Sequence, residues 1–151
     1  MENAAFDARV REAIARAIKR RGAVPTIAET AGHLGSDEPT VKASFDRMIA
    51  GHVFVAERGS SEIHSYNPFC AVRTDFRVRA DGREWWAMCG WDALGIPAAL
   101  GTTGTVETTC ADCGARIVVD VDRDGTPSSE RGTVLHVGVR AVDFWKDIYH
   151  T

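Results

Sequence analysis

The sequence predicts an α+β fold in two parts: a winged-helix-like three-helix module over residues 1–66, then a small mixed or antiparallel β core with short helices over residues 67–151. Three observations predict it. Apolar residues recur at helical spacing through the first fifty positions, whereas later segments alternate around hairpin turns. The composition, 44% apolar and 26% charged, is that of a globular protein able to bury a core. The switch between the two patterns falls at Asn67-Pro68, which reads as a linker.

Phe6, Val10, Ala13, Ile14, Ala17 and Ile18 share one helical face, and Gly22 suits the stop of that first helix. Thr26 with Glu29 three residues later has the pattern of a capping box, opening a short helix that ends around Gly35. Ser36 is placed to cap a third helix, in which Pro39 is tolerated in the first turn and Val41, Phe45, Met48 and Ile49 form the apolar face. Gly51 closes it. Val53 to Ala56 and Ile63 to Tyr66 then read as strands around the Gly59-Ser60-Ser61 turn, which completes the winged-helix arrangement. In the second part, Phe76 to Ala80 and Glu84 to Met88 flank Asp81-Gly82, a strong hairpin signal. A short helix follows Cys89. Thr105 to Thr109 and Arg116 to Val121 make a second hairpin around Cys110 to Gly114. Asp122 to Pro127 reads as a turn-rich loop, Thr133 to Val137 as a strand and Val142 to Ile148 as a final helix.

Charge and cysteine usage narrow the function. A formal charge of −3 argues against a dedicated nucleic-acid binder. Residues 1–59 carry nine Lys/Arg against eight Asp/Glu, and the helix in the recognition position mixes Lys42 and Arg47 with Asp37, Glu38 and Asp46. Releasing counterions from phosphates needs a more basic surface than this, so specific DNA binding is not expected and the module reads as structural. Lys19-Arg20-Arg21 reads as a solvated helix end that complements the helix dipole. No apolar run reaches the length of a membrane span and no signal pattern opens the chain, so a cytoplasmic location without membrane contact is expected. There Cys70, Cys89, Cys110 and Cys113 would be reduced thiols, to be read as ligands, nucleophiles or packing. His33, His52, His64, His136 and His150 lack metal-ligand spacing and read as structural or surface residues.

The densest chemistry lies in Trp85-Trp86-Ala87-Met88-Cys89-Gly90-Trp91-Asp92, where a strand runs into a helix. Positions i and i+3 share a helix face, so the Cys89 thiol and Asp92 carboxyl can address one small object. A helix start lowers a thiol's pKa, a thiolate binds soft metals, and a desolvated carboxyl can deliver a proton. Trp86 and Trp91 are candidate walls of an apolar pocket, or plain core. By themselves these residues are better read as a buried cysteine and a dipole-stabilising aspartate. Cys110 and Cys113 form a C-x-x-C turn without the second pair a zinc ribbon needs. Packing or auxiliary metal capture ranks first for that pair, structural zinc second and redox chemistry last.

The segment Trp86 to Leu100 resembles the active-site turn of the alkylmercury (organomercurial) lyases, with Cys-x-x-Asp continuing as Asp-Ala-Leu-Gly-Ile-Pro-Ala. Asn67-Pro68-Phe69, the Arg77 to Trp86 hairpin, the Cys110 strand and Val142-Asp143-Phe144-Trp145 are similar too. The resemblance implies that Cys89 binds an organomercurial or Hg(II) and that Asp92 protonates the leaving carbon, with no resident cofactor. It also implies a second thiolate around Glu130 to Thr133, where this sequence has no cysteine, and further chain beyond Thr151. The expectation is a divergent, C-terminally short member whose lyase activity is weak, with an apolar face near Ile148 left for a homodimer to cover. The alternatives are a non-catalytic soft-metal-binding module and a winged-helix regulator that senses a metal or small ligand.

Overall fold

The computed structural model describes residues 2–129 and 132–149. Three helices come first: α1 (Glu2–Arg21), α2 (Ile27–Leu34) and α3 (Glu38–Ala50). The periodic face of α1 buries Val10, Ala13, Ile14, Ala17 and Ile18, against which α3 packs Val41, Phe45 and Met48. The capping box forms: Glu29 N–H donates to Thr26 Oγ1 at 3.1 Å and Thr26 N–H to Glu29 Oε2 at 3.0 Å. Helix α3 is capped by Asp37 rather than Ser36. The Ser36 N–H is taken by Ala31 O at 3.1 Å to close α2, and the Asp37 carboxylate accepts from Thr40 N–H at 2.8 Å. A carboxylate at this position also suits the helix dipole.

The strands are β1 (Val55–Ala56), β2 (Ile63–Tyr66), β3 (Phe69–Cys70), β4 (Phe76–Ala80), β5 (Arg83–Ala87), β6 (Gly104–Thr109), β7 (Arg116–Val121) and β8 (Pro127–Ser129). They form one sheet of order β1-β2-β3-β5-β4-β6-β7-β8, with every neighbouring pair antiparallel. The fold is therefore α+β. The segment read as a linker is a tight turn inside this sheet: Tyr66 pairs with Phe69 across Asn67-Pro68, and β3 hands the sheet on to β5. Strand β3 is too short to carry a periodic signal. Asp81 and Gly82 take φ of 53° and 68°, as the predicted hairpin turn requires.

Helix α4 (Gly90–Leu100) lies across β4, β5 and β6 and buries Ala93, Ile96 and Pro97 on them. The facing sheet surface is Val78, Ala80, Trp85, Ala87 and Val106. Gly104 is needed here, because a Cβ on it would lie 2.7 Å from Pro97 Cγ. The opposite sheet face is charged, with Arg77 and Arg79 both paired to Glu107 and Arg77 bonded to Glu84 at 3.1 Å. The β4–β5 hairpin is tied to the first helix, since the Arg83 guanidinium donates to Lys19 O at 2.9 Å and Arg20 O at 3.0 Å.

The C-terminal part departs from expectation. Residues Pro127–Ser129 pair with β7, so that Pro127, read as the end of a loop, opens a strand. That occupies the edge of β7, and residues 133–137 form no strand. The final helix is a 3-10 helix over Ala141–Lys146. Its Trp145 stacks on His52 (centroids 4.1 Å apart, planes 5° from parallel), and the Tyr149 hydroxyl donates to Ala56 O. No helix among the described residues is long and apolar enough to cross a membrane.

Candidate active site

Strand β5 delivers the chain to the site. Its alternation buries Trp85 and Ala87 under α4, and the strand ends two residues before Cys89. Cys89 is the N-cap residue of α4, with extended backbone (φ −148°, ψ 175°). Ala93 N–H donates to Cys89 O at 3.0 Å, so the first helical turn is anchored on the cysteine itself. Asp92 then falls in that turn, and both side chains are half-buried.

Burial sets the protonation of the pair. It pushes the Cys89 thiol above its ordinary range, and the Asp92 charge and carboxylate acceptor push the same way. The backbone N–H groups of Asp92 and Trp91 favour the thiolate but do not outweigh desolvation. The expected helix-start activation of Cys89 is thus reversed. Its cause is the half-buried setting, in which a charged sulfur loses more hydration than two amides return. Burial raises the pKa of Asp92, and the neighbouring Cys89 thiol only partly offsets this. The resting arrangement is a protonated thiol beside a carboxyl group that accepts a proton more readily than a free one.

The site is covered by residues that carry no signal in sequence. A Cβ on Gly90 would lie 2.6 Å from Leu135 Cδ1 and 3.4 Å from Phe76 Cε1, so both side chains close over the glycine next to Cys89. Pro68 packs against the same helix, with its Cβ 3.6 Å from where a Cβ on Gly95 would stand. The two tryptophans do not form the expected pocket. Trp91 is 71% exposed because the first turn of α4 turns it away from the sheet. Trp86 faces the side of the sheet opposite Trp85, and a cleft of about 280 Å³ at this edge is lined by both tryptophans with Phe69, Cys70 and Arg73. A larger cleft of about 770 Å³ lies at the Asp81-Gly82 end of the sheet and contains neither Cys89 nor Asp92.

The other thiols sit on other elements. Cys70 is buried in β3 opposite Trp86 and donates to His64 O at 3.3 Å. Burial is the main reason its pKa is raised, with a smaller push from the charge of Asp92. Cys110 and Cys113 sit in the β6–β7 turn, the first half-buried and the second exposed. Among the described residues, no three His, Cys, Asp or Glu side chains converge closely enough to hold a metal ion. The expected place of a second thiolate, Glu130 to Thr133, falls partly outside the described residues and holds no cysteine.

The family model for alkylmercury lyase matches residues 69–150, more than half of the chain. The chain belongs to the alkylmercury lyase family. The matched region runs from β3 through the Cys89–Asp92 turn and the Cys110–Cys113 turn to the C-terminal 3-10 helix. Among solved structures, the crystal structure of the mercury-bound form of MerB2 is similar in fold, with a TM-score of 0.59 at 22% identity. The likeness covers 80% of this chain and 58% of that one, so this lyase-family chain spans well under two thirds of its structural neighbour. No curated protein matches the chain.

Proposed function

We propose that this protein binds organomercurials through Cys89 and cleaves the carbon–mercury bond with a proton delivered by Asp92. The observation that carries the reading is the thiol–carboxyl pair in the first turn of α4, with Cys89 at its N-cap and a half-buried Asp92 whose pKa is raised by burial. The pair supplies its own proton. As sulfur bonds to R–Hg⁺, the thiol proton moves to the Asp92 carboxylate, giving Cys89–S–Hg–R and a neutral acid. That acid then protonates the carbon, the C–Hg bond breaks, and R–H leaves with Hg(II) still on sulfur. No electrons are exchanged with any other group. Desolvation matters because a carboxyl in water would be ionised and unable to donate.

Turnover is proposed to be slow. A second thiolate on the metal would push electron density toward carbon, and the place the family resemblance gives it has no cysteine. The test is hydrocarbon release from phenylmercury, with adduct mass measured in parallel. Cys89→Ser should lose the adduct, while Asp92→Asn should keep it and release no benzene. Benzene release from Asp92→Asn at the wild-type rate would sink the assignment of the acid.

A further inference from the structure

We propose that the Cys110–Cys113 turn is a second soft-metal site, a surface two-thiolate chelate that takes Hg(II) after Cys89 has released it. The two sulfurs lie on one tight turn, fixed by Cys110 N–H donating to Ala115 O at 2.8 Å and Gly114 N–H to Cys110 O at 2.8 Å. Gly114 takes φ of +71°, which lets the chain reverse immediately after Cys113. A turn closed in this way carries both thiols on one chain reversal, where a single two-coordinate ion can bridge them.

The donor set selects the metal. No third His, Cys, Asp or Glu among the described residues joins the two sulfurs, so the four ligands of a structural zinc are not present among them. Two soft thiolates alone suit a d¹⁰ cation content with two-fold coordination, and Hg(II) is the one the proposed chemistry of Cys89 produces.

Sheet register places the turn where such a product emerges. Strands β5 and β6 are both antiparallel to β4, so they run in the same direction on either side of it. Ala87 pairs with Phe76 and Glu107 with Arg77, so both strands leave the sheet at the same end. Cys89 follows β5 by two residues and Cys110 follows β6 by one. With neighbouring strands about 4.8 Å apart, the two exits are separated by roughly 10 Å. The transfer balances: Cys89–S–Hg⁺ and two thiols give Cys110–S–Hg–S–Cys113, a restored Cys89 thiol and one proton to solvent. Binding of Hg(II) by the turn stands on the turn alone, whereas the hand-over rests on the Cys89 reading.

Two measurements on the full chain test this. In the first, protein loaded with two equivalents of Hg(II) is challenged with a large excess of a monothiol, and retained mercury is counted by native mass spectrometry. Wild type and Cys89→Ser should each keep one ion, and Cys110→Ser/Cys113→Ser should keep none. Equal retention by the double variant, or one mercury shared between two chains, overturns the chelate. In the second, phenylmercury is supplied without added thiol. Wild type should release about two equivalents of benzene per chain and the double variant about one. Equal release from both, including none from either, overturns the hand-over. Mercury loss by the double variant in the first measurement, with no benzene from wild type in the second, keeps the chelate and removes the lyase reading.

Discussion

Asp92 costs this protein stability, and the cost has a pH signature. Burial raises its folded-state pKa, so the folded chain holds a proton that the unfolded chain gives up. Between the unfolded value, about 3.9, and the raised folded value, stability falls as pH rises, because the folded state binds more protons. The penalty is fully present above the folded pKa and absent below the unfolded one. Asp92→Asn should therefore raise Tm at pH 7 and leave it unchanged near pH 3. A Tm that is equal or lower at pH 7 would mean that the carboxylate is held by favourable partners. The same variant reports on the thiol. Since Asp92 helps to hold the proton on Cys89, removing its charge should shift the midpoint of iodoacetamide alkylation of Cys89 to lower pH. Wild-type Cys89 should titrate above a free thiol, followed by mass spectrometry of the Cys89 peptide. A wild-type midpoint below that of free cysteine would restore the helix-start activation the sequence suggested. At this scale the sequence put Cys89 and Asp92 in one helical turn, as the structure has them, but suggested the wrong protonation for the thiol. Spacing reveals which groups share a helix face, but desolvation depends on Phe76 and Leu135, which come from distant strand and coil.

Elements were most legible where local chemistry decides them. The Thr26–Glu29 box, the Gly22 stop and the Asp81-Gly82 turn each depend on residues within four positions of one another. The box does more than end a helix, because Ile27 N–H also donates to Glu62 Oε2 at 3.0 Å and joins α2 to the start of β2. Thr26→Ala removes the acceptor of Glu29 N–H and should cost about 1 kcal/mol in urea unfolding, the usual worth of such a cap. A loss below a few tenths would show that Glu29, which also pairs with Arg21, holds the helix start alone. Elements that depend on a partner were missed. Strand β3 exists because β2 and β5 leave a gap of one strand between them, which two residues fill. Residues 133–137 have strand-like composition, but β8 already occupies the β7 edge, so no ladder is open to them there.

At the scale of the whole molecule, the N-terminal module is joined to the core through one continuous sheet and through Arg83 at the end of α1. Its cations are largely committed inside the chain. Arg47 on α3 is bound to Asp7 on α1, with its Nη2 2.6 Å from Oδ1, and the Asp7 carboxyl is lowered mainly by that bond. Lys42 pairs with Asp46 at 2.8 Å, and Arg21 pairs with Glu29. A helix that reads DNA presents its cations outward, where each phosphate contact releases counterions. Here α3 presents one cation paired in place and another turned toward α1. We therefore propose that the three-helix module packs and covers the core without recognising DNA. The expected outcome in a mobility-shift series with adjacent genomic DNA is no sequence-selective complex at micromolar protein, and no change when salt falls from 200 to about 50 mM, a range over which a contact set of six phosphates would gain about a thousandfold. Selective, salt-sensitive binding below micromolar protein would overturn this, and Lys42→Glu would then identify the helix responsible by abolishing it.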